Sequence, residues 1–118
     1  MGAVALLENL HCDDPRETVL EGNKDEVAIT GPTGQVWPPS GAVAMGAGQD
    51  AQLNTQVPIN GASIVLNLIE IDPPGLPTDA LGTVRIKASE AGTGSKTVEL
   101  LTEDSAYTLR YRVGNIQF

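Results

Sequence analysis

The sequence has one cysteine, one histidine and only four Phe, Trp or Tyr residues, and none of its apolar runs is long enough to cross a membrane as a helix. Each scarcity removes a class of function. A lone cysteine, Cys12, excludes an internal disulfide framework. Cys12 and the lone histidine, His11, are too few for a zinc site built from thiolates and imidazoles. Positive charge is also sparse: seven Lys and Arg stand against fifteen Asp and Glu, a formal net charge of −8. Nucleic-acid binding needs a basic stripe with stacking aromatics. Here Arg16, Lys24, Arg85, Lys87, Lys96, Arg110 and Arg112 are scattered, and only Trp37, Tyr107, Tyr111 and Phe118 could stack. The expected partners therefore include no nucleic acid. Without a polybasic cluster, direct docking on an anionic membrane is disfavoured too. No transmembrane segment is expected, because a span needs about 18 or more apolar residues in a row. The opening MGAVALLENLH carries Glu8 among its apolar residues and lacks the basic start of a secretory signal.

The chain is rich in Gly (13) and Pro (8) over its 118 residues. That exceeds the average combined share of about 12% and favours turns and short strands over long helices. The length suits one domain spanning residues 1–118, and an apolar fraction of 41% suffices for a core. Short apolar stretches between turn clusters predict an all-β domain. The clearest strand is Ala106 to Val113, where Tyr107, Leu109, Tyr111 and Val113 alternate with polar positions. Ser63 to Ile71 reads as a central strand covered on both sides, with Ile64, Leu66 and Leu68 on one face. Further strands are expected at Glu26–Thr30, Gly34–Trp37, Gln49–Val57, Leu81–Lys87 and Thr97–Leu101. Ala3 to Leu10 is ambiguous, since Val4, Leu6, Leu7 and Leu10 also fit a helical stripe. A strand is the better reading, because a lone helix would still need a sheet to cover its apolar face. The sum is an eight-stranded antiparallel β-sandwich.

The carboxylates cluster in the connections. Asp13, Asp14, Glu17, Glu21, Asp25 and Glu26 fall in the first or at its exit; Glu70, Asp72 and Asp79 bracket the fifth; Glu103 and Asp104 occupy the seventh. If the chain runs up and down, odd-numbered connections emerge at the same end. Up to eleven carboxylates would then meet at one tip. Packed like charges repel and raise one another's pKa. A hard divalent cation resolves this, and calcium accepts about six to eight oxygens in loose geometry. The plain alternative is that acids sit in turns for their own local hydrogen bonds.

The segment Ile64 to Ile86, IVLNLIEIDPPGLPTDALGTVRI, resembles the corresponding part of C2 domains, the calcium-binding β-sandwiches. Glu70 and Asp72 stand at the two acidic places that end a strand, Asp79 at the later one, and Leu81-Gly82 at the family's Leu-Gly. The first connection is similar, with acids at Asp13 and Asp14 and then Asp25 before a strand. Ligand loops after strands one and five imply the circularly permuted C2 topology. The resemblance implies calcium (Ca2+) as cofactor, with Asp13, Asp14, Asp25, Glu70, Asp72 and Asp79 as metal ligands. It departs from the family where Glu70 replaces an Asp, Glu26-Val27 replaces Pro-Tyr, and Pro73, Pro74 and Pro77 stiffen the loop.

The expected function is that of a non-enzymatic, calcium-binding C2-like module. The ion would leave positions open for a phospholipid phosphate, a protein carboxylate or a glycan hydroxyl. Leu76, at the tip of the fifth connection, is either a bilayer wedge or an ordinary packed leucine. Two alternatives are a metal-free structural or interaction sandwich, and a carbohydrate-binding module stacking a sugar on Trp37. The commoner role for a single Trp is to plug the end of a core. His11 and Cys12 point to opposite faces of a strand and cannot pair as base and nucleophile, so no catalytic residue is assigned.

Overall fold

The structure, a computed structural model, describes residues 3–15, 24–71, 79–103 and 105–115. The described residues form nine β-strands: β1 (Ala3–Asp14), β2 (Lys24–Gly31), β3 (Gly34–Trp37), β4 (Val43–Gly46), β5 (Asp50–Ile59), β6 (Ser63–Glu70), β7 (Asp79–Lys87), β8 (Lys96–Leu101) and β9 (Ala106–Gly114). A 3-10 turn, Ala88–Glu90, follows β7. One sheet has the order β5-β1-β9-β8; the other has β3-β2-β6-β7, with β4 also paired to β2. Every strand pairing is antiparallel. Both sheets send side chains into one hydrophobic cluster, a β-sandwich-like arrangement.

Eight strands were expected and nine are found. The addition is β4, inside the Gly- and Ala-rich stretch that reads as a connection. It pairs with β2 over residues 24–27, while β3 pairs over residues 29–31. β3 and β4 thus lie end to end along one flank of β2, as a single edge strand interrupted by Pro38–Ala42. Proline is tolerated at such an edge, where a missing N–H breaks no ladder.

The ambiguous first segment is a strand of 12 residues, and its helical look has a cause. Against β9 the register shifts between Leu7 and Asn9, which pair with the adjacent Tyr111 and Arg110, so Glu8 is the extra residue of a bulge; against β5 the same residues pair with Thr55 and Gln52, so there the extra residue lies on β5. Ala3, Ala5 and Leu7 point inward; after the extra residue, so do Leu10 and Cys12. The bulge turns a period of two into an apparent spacing of three. β6 is central as expected, between β2 and β7, but only one face is sealed. Ile64, Leu66 and Leu68 are buried, whereas Val65, Asn67 and Ile69 are half-buried.

The sheets come close together where β7 passes β8. A Cβ built on Gly82 would lie 2.6 Å from Leu100 Cβ, and Gly82 has φ of 155°. No side chain fits there, which supplies a packing reason for the Leu-Gly pair at the start of β7. Trp37 is 7% exposed and packs in the core. A buried indole is not a sugar platform, so the carbohydrate reading loses its one supporting residue.

Candidate functional site at the acidic pole

Strand direction sorts the connections. The first connection, the β4–β5 turn, the β6–β7 connection and the β8–β9 hairpin all leave the same pole of the molecule, since β1, β4, β6 and β8 run toward it. Five contacts tie the strand ends there. Val27 pairs with Glu70, and the Ile71 N–H donates to Glu26 O at 2.7 Å, which binds the start of β2 to the end of β6. Glu70 pairs in turn with Asp79 at the start of β7. The Cys12 N–H donates to Gln49 O at 2.9 Å, holding the β4–β5 turn to β1. Tyr107 on β9 reaches across to Asp25 on β2, and its hydroxyl donates to Oδ2 at 2.5 Å.

Asp13, Asp14, Asp25 and Asp79 are strand residues rather than loop residues, a correction to the sequence reading. β1 and β2 extend past their apolar patterns because polar residues at strand ends still complete a ladder. His11, Cys12 and Asp14 pair with Thr108, Tyr107 and Ala106, and Lys24 to Glu26 pair with β4.

The carboxylates fall into different surroundings. Asp13 and Asp14 are exposed. Asp13 accepts a hydrogen bond from Thr108 Oγ1 at 2.7 Å and lies 3.5 Å from His11 Nε2. The other nitrogen of that ring, Nδ1, lies 2.8 Å from Asp50 Oδ1. Hydrogen bonds from Asn9 and His11 hold the Asp50 carboxyl below its ordinary range. By contrast Asp25 is 0% exposed and Glu70 2%. Both continue the inward period of their strands, Asp25 with Val27 and Ile29, Glu70 with Ile64, Leu66 and Leu68. Asp79 is placed opposite Glu70 by the ladder. Asp72 and Leu76 lie outside the described residues.

Sequence reasoning missed the link that joins the sheets at this pole. Cys12, Tyr107 and Asp25 form a buried chain, with the Tyr107 hydroxyl interacting with the thiol on one side and the carboxylate on the other. Burial, then the bonds to Asp25 and Cys12, push the Tyr107 phenol far above its ordinary value. It therefore remains a donor at any moderate pH. Burial also raises the Cys12 thiol, more than its bond to Tyr107 lowers it; Asp25, Asp13 and Asp14 add to the rise. A protonated, buried thiol is a poor nucleophile. The available signal was the inward period of β9: a buried tyrosine needs a partner for its hydroxyl. Tyr111 obeys the same rule nearer the opposite pole, donating to Glu90 Oε1 at 2.6 Å.

The carboxylate oxygens at the pole suit a hard cation. Among the described residues, no three His, Cys, Asp or Glu side chains are grouped closely enough to hold a metal ion. Every buried side-chain nitrogen and oxygen among them has a hydrogen-bond partner. No protein-family model matches the chain, and a search of curated proteins finds no match either.

Proposed function

We propose that the chain is a non-enzymatic C2-like binding module whose acidic pole takes calcium. The observation that carries this reading is the junction of β2 and β6, where the Ile71 N–H meets Glu26 O. It sets the start of β2, with Asp25 and Glu26, beside the end of β6, with Glu70, two stretches far apart in the chain. Counting β3 and β4 as one interrupted strand, these flank the connections after strands one and five, as a permuted C2 topology requires.

In this reading the residues divide the work. Asp13, Asp14, Asp72 and Asp79 hold the ion. Asp25 and Glu70, inward and buried, set the negative field beneath it and keep the ends of β2 and β6 in place. A bound calcium ion supplies positive charge and coordination positions open to an external oxygen, whether lipid phosphate, protein carboxylate or glycan hydroxyl. A thermal melt in EDTA and then in millimolar calcium tests the reading. Ligand bound only by the native state adds about 2.7 kcal/mol at a hundredfold excess over Kd. The midpoint should rise by several degrees, and coincident curves would overturn the assignment.

One observation favours a second reading, a metal-free interaction sandwich. Asp25 already accepts the Tyr107 hydroxyl, and the buried polar atoms of the described residues are all satisfied. On that reading the acids serve the fold and solubility, and the EDTA and calcium melts superimpose.

A further inference from the structure

We propose that a hollow at the opposite end of the molecule binds a phosphate group. It occupies about 390 Å³ on the outer face of β6 and β7 and is lined by Ala62, Ser63, Arg85, Lys87, Ala88 and Ser89. Lys87 pairs with Ser63, at the far ends of the strands whose other ends carry Asp79 and Glu70. Seven residues of extended chain separate Ser63 from Glu70, about 23 Å. That is beyond two screening lengths of about 8 Å each at physiological ionic strength, so the acidic pole does not cancel the local field.

The lining suits an oxyanion in detail. Arg85 and Lys87 stand two residues apart and both are exposed. They are the two described Lys or Arg side chains that edge this hollow, and no carboxylate lines it. Arg110 and Arg112, on the other sheet, face Glu8 at 3.5 and 3.8 Å. Glu90 is the nearest acid along the chain, but its carboxylate is engaged, with Oε1 accepting from the Tyr111 hydroxyl and Oε2 from the Lys87 N–H. Arg85 Nη1 donates to Ser63 Oγ at 2.9 Å. That bond steadies the guanidinium and leaves its other donors available. Because Ser63 Oγ is the acceptor, its own proton is left to donate. The Ser89 hydroxyl lines the same hollow. Ala62 and Ala88 keep its floor low. A guanidinium fork, an ammonium and two hydroxyls match the several oxygens of a phosphate better than the two of a carboxylate.

The test is an amide-resonance titration of the full chain in EDTA, which separates it from the calcium reading. Inorganic phosphate is one probe; vesicles of phosphatidic acid, compared with phosphatidylcholine, are the other. Saturable shifts at Ser63, Lys87, Ala88 and Ser89, weakened at least tenfold by the double variant Arg85→Gln, Lys87→Gln but not by Arg110→Gln, support the site. Saturation by inorganic phosphate without vesicle binding assigns a soluble phosphate. Vesicle binding that needs Arg85 and Lys87 assigns a lipid headgroup. No saturable response to either probe, or equal weakening by Arg110→Gln, overturns the proposal. Both substituted residues are exposed, and a thermal melt of the double variant matching that of the parent shows that folding is retained.

Discussion

Replacing Tyr107 by Phe removes one oxygen from the core and leaves the ring in place. The hydroxyl donates to Asp25 Oδ2 at 2.5 Å, and neither residue is exposed. A hydrogen bond to a charged group contributes about 1.5–3 kcal/mol. Loss of the bond should therefore destabilise the fold by about 2–3 kcal/mol. At about 4 °C per kcal/mol for a domain of this size, the melting midpoint should fall by about 8–12 °C. Asp25→Asn supplies the internal comparison. Its amide carbonyl still accepts from Tyr107, but the bond is between neutral groups and contributes about 1 kcal/mol. Tyr107→Phe made in the Asp25→Asn background should consequently cost only about 1 kcal/mol, a coupling energy of about 1–2 kcal/mol. Urea unfolding followed through the buried Trp37 measures all four proteins, with the slope m held constant as the check on two-state behaviour. A Tyr107→Phe cost below about 0.5 kcal/mol, or one equal in both backgrounds, would refute the charged link between the sheets.

Two other predictions use the same unfolding assay. Gly82→Ala should cost about 3 kcal/mol or more, because its Cβ would meet Leu100 Cβ at 2.6 Å on a backbone of positive φ. Gly61→Ala, also at positive φ but with open space around the new methyl, should cost only about 1 kcal/mol; equal costs would remove the close approach as the cause. Stability should also fall as pH rises above about 9. Cys12, Tyr107 and Tyr111 all have raised pKa values in the fold, so the unfolded chain loses protons near 9.0 and 10.0 while the native chain keeps them. The contribution is fully present below those unfolded values, and Tyr107→Phe should flatten the alkaline decline. Stability that stays level or rises between pH 8 and pH 10.5 would contradict it.

Much of the architecture was legible in the sequence because one sealed face per strand writes a period of two. Tyr107, Leu109, Tyr111 and Val113 are all buried, as their alternation predicts. The failures trace to places where a backbone device interrupts that period. The bulge at Glu8 mimicked a helix, and β4 was hidden because its four residues, Val43–Gly46, are too short a run for the inward pair Val43 and Met45 to show as a period. The meeting of strand ends at one pole was also legible, since it follows from direction alone and an end-to-end β3 and β4 leave direction unchanged. What became of the individual acids was not. Asp25 and Asp13 look equivalent in sequence, yet one is sealed beneath Tyr107 and the other bonds to Thr108 at the surface. That difference depends on which strand lies opposite, which the local pattern does not encode. The period would have marked Glu70, two places beyond Leu68, as inward.

The break between β3 and β4 has a practical corollary. Residues 38–42 leave and rejoin the same flank of β2, so lengthening that segment reverses no strand and moves no connection from one end to the other. Pro39, Ser40 and Gly41 are already exposed. A peptide tag or a small folded passenger spliced in at this gap would ride on the rim of the sheet, and both the Asp25–Tyr107 tie and the Arg85–Lys87 hollow would be left as they are.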